Sequence, residues 1–305
     1  MEQILVIGAS GFVGRHVAQG LLADGYAVRC LARNPARVQE LATAGCEIVQ
    51  GDISDLASMQ NALESVQAAY ISIHTLGPQH ANTAGQGFME IEMNGLRNIV
   101  KACQARGVRR LIYVTALGIS QDSSNTWARE RWKTEQFLLN SGLDVTVIRP
   151  GQIVGVGGLG FNTMVSQAKR PVSLNLFGSG RLKMRNIAVD DLVYYLVGVL
   201  KDPRAYGQCY AVGCDELLTQ NQMTDIAAEV LGRKHPFKLD FPRPLLQALA
   251  PLIERAGKSP KGAIRGVLDG LEIDLDGDPM PIRAILPRPP LTYRQAVAQA
   301  LTGQH

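Results

Sequence analysis

Short apolar runs alternate with helix-like stretches through the first half of the chain. The runs cover residues 4–7, 27–32, 47–50, 69–73, 110–115 and 144–148. Between them, residues 13–24, 35–44, 57–65, 88–106 and 125–141 space their apolar positions with helical period, as Val13, Val17, Leu21 and Leu22 do. Alternation of this kind predicts a doubly wound α/β domain over residues 1–150, a parallel sheet with helices on both faces. Its ligands are expected beyond the carboxyl ends of the strands. After Arg149-Pro150-Gly151 the texture changes. Gly155, Gly157, Gly158 and Gly160 crowd together, followed by Pro171 and Gly178-Ser179-Gly180, which reads as loops around a cleft. Asp190 or Asp191 is expected to cap a helix that runs to about residue 201 and returns to the sheet. Thr219 and Gln222 have capping-box spacing and predict a helix ending at Gly232. Residues 151–305 are therefore expected to form a smaller, irregular α/β capping region.

The most informative segment is Ile4-Leu5-Val6-Ile7-Gly8-Ala9-Ser10-Gly11-Phe12-Val13-Gly14. A strand, a turn with glycines three apart and a helix follow one another, the context in which a dinucleotide pyrophosphate can sit. Gly8 permits the tight turn, Gly11 lets backbone approach the phosphates, and Gly14 lets helix and strand pack closely. Free N–H groups and the positive end of the helix dipole would hold the anion. Ser10, Phe12 and Val13 complete the turn as candidate cofactor contacts.

Composition narrows the field. Hydrophobic content of 46% and charged content of 19% describe an ordinary globular chain. The net charge of +4 comes from dispersed basic residues, with no K/R-rich run, so no nucleic-acid partner is expected. Cys30, Cys46, Cys103, Cys209 and Cys214 form no C-x-x-C pair, which predicts free thiols, a reducing cytoplasm and no metal site. The first strand begins within three residues of Met1, leaving no room for a signal peptide, and no apolar run is long enough to span a bilayer. A cytoplasmic location is the expectation.

The second strand separates the two dinucleotides. An acid at its end would accept hydrogen bonds from the adenosine ribose and favour NAD(H). Here it ends Cys30-Leu31-Ala32-Arg33-Asn34-Pro35, with a guanidinium suited to a 2′-phosphate. Arg33 therefore points to NADP(H) over NAD(H), and Arg15 and Arg37 are close enough in sequence to join it. Asp52 and Ile53, after the third strand, are candidates to lie beside the adenine, although Asp52 also suits a cap for the next helix.

With these residues in hand, the chain resembles the atypical and extended short-chain dehydrogenase/reductase superfamily, nearest to its NmrA-like branch and to NAD(P)-binding accessory subunits of respiratory complex I. The resemblance covers about residues 1–232. It rests on the glycine turn, Leu31-Ala32-Arg33-Asn34-Pro35, Gly51-Asp52-Ile53-Ser54-Asp55 and Asn94-Gly95-Leu96-Arg97-Asn98. Further along it includes residues 107–115, Ile148-Arg149-Pro150-Gly151 and Val189-Asp190-Asp191. It implies an oxidoreductase with a small-molecule substrate. Active members usually carry Tyr-x-x-x-Lys on the helix after the fifth strand and a hydroxyl near that strand's end. Lys133 matches the lysine, which implies a catalytic and ribose-binding role, but Arg129 stands four positions before it. Thr115 is the nearest hydroxyl, and Asn94 matches an asparagine that supports the lysine. An arginine cannot serve as general acid, because its pKa lies above about 12. A proton donor would then come from Lys133, Tyr113, Tyr194, Tyr195, His74 or water; His80 flanks the same loop as His74. The alternative is a non-catalytic NADP(H)-binding sensor or assembly protein.

Two other features point elsewhere. Asp274, Asp276 and Asp278 alternate like calcium ligands, but Pro279 follows and no glutamate closes the loop, so a solvated acidic turn is expected. The apolar stretch 244–253 reads as core, with a partner surface or homo-oligomer contact as the alternative.

Overall fold

The computed structural model describes residues 1–73, 87–176, 179–241 and 273–303. Strands β1 (Gln3–Ile7), β2 (Ala27–Ala32), β3 (Glu47–Gln50), β4 (Ala68–Ile71), β5 (Arg110–Val114) and β6 (Asp144–Pro150) follow the predicted runs. A seventh, β10 (Gln208–Val212), joins them in a parallel sheet of order β3-β2-β1-β4-β5-β6-β10. The order reverses between β1 and β4, so the two chains leaving those strands part and leave a crevice.

Helices α1 (Phe12–Ala23) and α7 (Val189–Gly198) cover one face of the sheet. Helices α3 (Leu56–Ala62), α4 (Phe88–Arg106) and α5 (Thr126–Leu139) cover the other. Burial on both faces explains why β1 and β5 read as continuous apolar runs instead of alternating ones. Within them, Ile4 and Val6 face α1, whereas Leu5 and Ile7 face the α3–α5 layer.

Three predicted elements differ in detail. The helix expected over 35–44 is a 3-10 turn, Pro35–Val38, followed by the short α2 (Gln39–Thr43); Asn34 caps the turn and Pro35 fixes its first residue. The helix expected at Asp190 starts at Val189 behind Ala188, which offers no side-chain cap. The two acids there have other work: Asp191 binds Arg288 at 2.6 Å, and Asp190 accepts from Gln299 at 3.0 Å. The seventh strand was missed because it follows a change of texture and has only five residues.

The rest of the chain builds a second layer. A three-stranded sheet, β7 (Gln152–Val154), β9 (Lys183–Ala188) and β11 (Leu217–Thr219), packs against α6 (Leu159–Ala168), α8 (Gln220–Val230) and α10 (Tyr293–Thr302). The capping box on α8 is present, with Thr219 and Gln222 bonded reciprocally. A two-stranded parallel ribbon pairs β8 (Val172–Leu176) with β12 (Phe237–Phe241). The segment around Leu275 bridges to Met184 on β9, and α9 (Met280–Ile285) then leads back to β10. The apolar stretch 244–253 lies outside the described residues. No helix among the described residues is long and apolar enough to cross a membrane.

Candidate functional site

The glycine turn sits where the sheet order reverses. Gly8 leaves β1 at φ +94°, and a Cβ there would stand 2.0 Å from the carbonyl oxygen of Ser72, just past β4. Only glycine fits that contact and that φ. A Cβ on Gly14 would fall 2.3 Å from the Gly8 oxygen, so this glycine seats α1 on the turn. Gly11 differs. Its Cβ would meet one protein atom, the Gly8 oxygen, at 3.2 Å. The fold needs Gly8 and Gly14; the space in front of Gly11 is open apart from that one oxygen.

That space suits an anion. Gly11 is the N-cap of α1, no side chain caps the helix, and its first turn carries no acid. Ser10 and Gly11 are exposed, and Phe12 and Val13 half-buried. The first N–H groups of α1 and the positive end of its dipole therefore face the crevice. The residues present fit a pyrophosphate. Phe12 also reaches the second layer: a Cβ on Gly155 or Gly158 would come within 2.8 or 3.1 Å of its ring. The glycine cluster expected to loop around a cleft thus packs directly on the turn.

Arg33 is exposed just beyond the end of β2, and its carbonyl accepts from Gln50 at 3.4 Å. Arg15 pairs with Glu40 at 2.9 Å and donates to the Arg37 carbonyl, tying α1 to the 3-10 turn. Its charge is spent inside the protein. Asp52 accepts from the amide and hydroxyl of Ser54, both at 2.8 Å, while Asp55 caps α3. Ile53 is half-buried against the backbone of Gly95, and its carbonyl accepts from Asn98 at 2.9 Å.

On α5 the structure shows which residues face inward. Lys133 is 58% exposed and bonded to Glu130 at 2.6 Å. Arg129 donates to the Ser123 carbonyl and to Thr126, holding the loop before the helix. The buried positions are Ala128, Arg131, Thr134, Glu135 and Leu138. Asn94 is half-buried and accepts from Arg97, and Glu92, two residues earlier, is fully buried. Glu92 and Arg131 form a buried ion pair, with the Tyr113 hydroxyl donating to Glu92 at 2.9 Å. The indole of Trp127, four residues before Arg131, lies 5.8 Å from its guanidinium. Trp127 and Arg131 share the four-residue spacing of Tyr-x-x-x-Lys, with Arg131 buried and Trp127 half-buried beside it. Helical phase alone carried that signal, since Ala128 and Leu138 put residues 131 and 135 on the apolar face and 133 opposite.

Arg131 is 2% exposed, yet its Nε and Nη2 have no hydrogen-bond partner. Orphaned buried donors are costly, and an acceptor brought to them would satisfy them. Beside it, the Thr115 hydroxyl donates to Glu135 at 2.6 Å, and Glu135 also receives Arg149 Nε at 3.0 Å. Burial, reinforced by the Glu92 carboxylate, pushes the Tyr113 phenol well above its ordinary range. Tyr194 donates to the Pro287 carbonyl at 3.2 Å, and Tyr195 is buried. His74 and His80 lie outside the described residues.

The acidic run is committed elsewhere. Asp274 accepts from the Lys183 amide, Asp276 pairs with Arg185, and Asp278 accepts from the Met280 amide at the start of α9. The Asp274 carbonyl lies 2.5 Å from where a Cβ of Gly118 would stand, so this segment roofs the loop after β5. No group of three metal-ligating side chains occurs among the described residues.

Comparison with known proteins agrees with this geometry. The pattern of the family described as NAD(P)H-binding matches residues 8–202. The chain is 30% identical over 252 residues to (4-alkanoyl-5-oxo-2,5-dihydrofuran-3-yl)methyl phosphate reductase of Streptomyces griseus, covering 81% of this chain and 82% of that protein. It is 25% identical over 254 residues to NADH dehydrogenase (ubiquinone) 1 alpha subcomplex subunit 9 of Arabidopsis thaliana, covering 80% of this chain but 61% of that protein. The Escherichia coli NADPH-dependent quinone oxidoreductase complexed with NADPH shares the fold at TM-score 0.73. Its identity is 21%, with 98% and 99% of the two chains covered.

Proposed function

Because this chain belongs to the NAD(P)H-binding family, we propose that it is an NADPH-dependent reductase of a carbonyl or activated double bond in a small organic molecule. The observation that carries this reading is the uncapped N-terminus of α1 at the strand-order reversal, with Arg33 rather than an acid past the end of β2. The cofactor, when bound, supplies the hydride. The backbone around Ser10, Gly11, Phe12 and Val13 would take the pyrophosphate, and Arg33 the 2′-phosphate. Asp52 and Ile53 would border the adenosine end. On α5 the orphaned donors of Arg131 make it a better candidate than Lys133 for an oxygen of the cofactor or substrate, and Thr115 borders the same place. The similarity to a reductase over four-fifths of both chains supports this reaction class.

Arg33→Ala is expected to weaken NADPH binding about tenfold or more, the worth of a charge-assisted hydrogen bond, and to leave NADH binding nearly unchanged. Titration calorimetry with both cofactors reads the difference, and equal losses would sink the 2′-phosphate role. A second reading, an NADPH-binding assembly protein without turnover, is favoured by Arg129 and Trp127 standing where a tyrosine would donate a proton. Substrate-dependent oxidation of NADPH across a panel of ketones, enones and quinones separates the two. Tight binding with no oxidation of NADPH supports the second.

A further inference from the structure

The ribbon of β8 and β12 is built inside out. Val172 pairs with Phe237, Ser173 with Lys238, Leu174 with Leu239 and Asn175 with Asp240. Alternation puts Ser173, Asn175, Lys238 and Asp240 on one face and the four apolar residues on the other. A sheet with one wet face normally turns its apolar side inward. Here Ser173 and Asn175 are each 2% exposed. The Asn175 amide bonds Asn221 and Asp240, both at 3.1 Å, and Lys238 reaches Asp225 on α8 at 2.6 Å. The apolar face looks outward, with Val172 40%, Leu174 39%, Leu239 48% and Phe237 69% exposed.

A second observation says what covers it. Each strand is entered through a basic stretch ending in proline: Lys169-Arg170-Pro171 before β8, and Arg233-Lys234-His235-Pro236 before β12. Because the strands are parallel, both stretches fall at the same end of the ribbon. Arg233 Nη1 donates to the Lys169 carbonyl at 3.3 Å and joins them. All five basic side chains are exposed. His235 pairs with Glu229, but Lys169, Arg170 and Lys234 enter no ion pair among the described residues. An apolar plate edged with exposed cations is complementary to hydrocarbon beneath anionic headgroups.

We propose that the β8–β12 ribbon docks this protein peripherally on anionic bilayers. Phe237, Leu239, Val172 and Leu174 enter the headgroup–acyl boundary, and Lys169, Arg170, Arg233 and Lys234 meet the lipid charge. This docking is independent of the reaction assigned to the glycine-turn site.

The test is co-sedimentation of the full chain with phosphatidylcholine vesicles, with and without phosphatidylserine. Binding is expected with phosphatidylserine, much weaker without it, and reduced by salt. Phe237→Ser combined with Leu239→Ser should lower vesicle affinity at least tenfold. Lys169→Gln and Lys234→Gln should each lower it about fivefold, the contribution of one basic residue near such a surface. All these side chains are exposed, so melting temperature and NADPH affinity should match the parent. Failure of the parent to bind either vesicle overturns the proposal, as does undiminished binding by the serine variant. A dimer that Phe237→Ser dissociates, with no vesicle binding by the parent, assigns the face to a second copy. Protection of Phe237 and Leu239 from hydroxyl-radical footprinting in the free chain assigns it to residues 242–272. Either result also overturns the proposal.

Discussion

At the scale of single residues, three glycines of one motif have separable tasks. Gly14→Ala drives a Cβ into the Gly8 carbonyl at 2.3 Å, a backbone contact that cannot yield cheaply, so loss of stability and of cofactor binding together is expected. Gly11→Ala meets its neighbour at 3.2 Å and leaves α1 in place. It should keep most of the parent's melting temperature while losing most of its NADPH affinity, as read by thermal melts with and without cofactor. If Gly11→Ala melts as low as Gly14→Ala, the space before Gly11 belongs to the fold. The order of glycines was legible in the sequence because β1 and α1 flank it immediately. Arg131 was less legible. Residue type drew attention to Lys133, but burial depends on helical phase, and in α5 Arg131 turns inward while Arg129 and Lys133, one turn apart, share the opposite face.

The pairing of elements gives a sharper test of the α4–α5 contact. Glu92 and Arg131 join these helices under the sheet with both side chains almost fully buried. Removing one partner leaves an uncompensated buried charge, which costs about 3–5 kcal/mol. Glu92→Leu should therefore lower stability by that amount. The double variant Glu92→Leu with Arg131→Met should recover most of it in denaturant unfolding, since an apolar pair of similar volume is often neutral. If Arg131 also serves a ligand, the recovered double variant still binds NADPH weakly. Full stability with full NADPH affinity would restrict Arg131 to packing. Among elements, those with a long apolar period were legible: α4 occupies the predicted span, and the α8 capping box stands where Thr219 and Gln222 placed it. β10 was not. A five-residue strand has too few positions to declare a period, and its place is fixed by β6, some sixty residues earlier.

For the whole molecule, the two expected regions are interleaved. After residue 151 the chain leaves the sheet, builds β7 and β9, then returns through α7 and β10. Val193 of α7 fills the groove over Gly20, where a Cβ would lie 2.4 Å from its Cγ1. A fragment of residues 1–150 would uncover the face of α1 around Gly20 that α7 packs on and leave β6 as an open edge. It is expected to aggregate or remain unfolded, and circular dichroism of the purified fragment would show it. A folded, cooperatively melting fragment would instead support an autonomous nucleotide-binding domain. The roof over Gly118 has a further consequence, in time. Arg185 on β9 is half-buried and waits for Asp276, 91 residues downstream. At translation speeds of about 5–20 residues per second, that wait lasts roughly 5–18 s. Once α7 and β10 have been made, later in that interval, the seven-stranded sheet can close while the β5 loop is still unroofed and Arg185 still lacks the Asp276 carboxylate. Synthesis would therefore pass through a stage with the sheet and its glycine turn in place before the segment carrying Asp274 closes over the β5 loop.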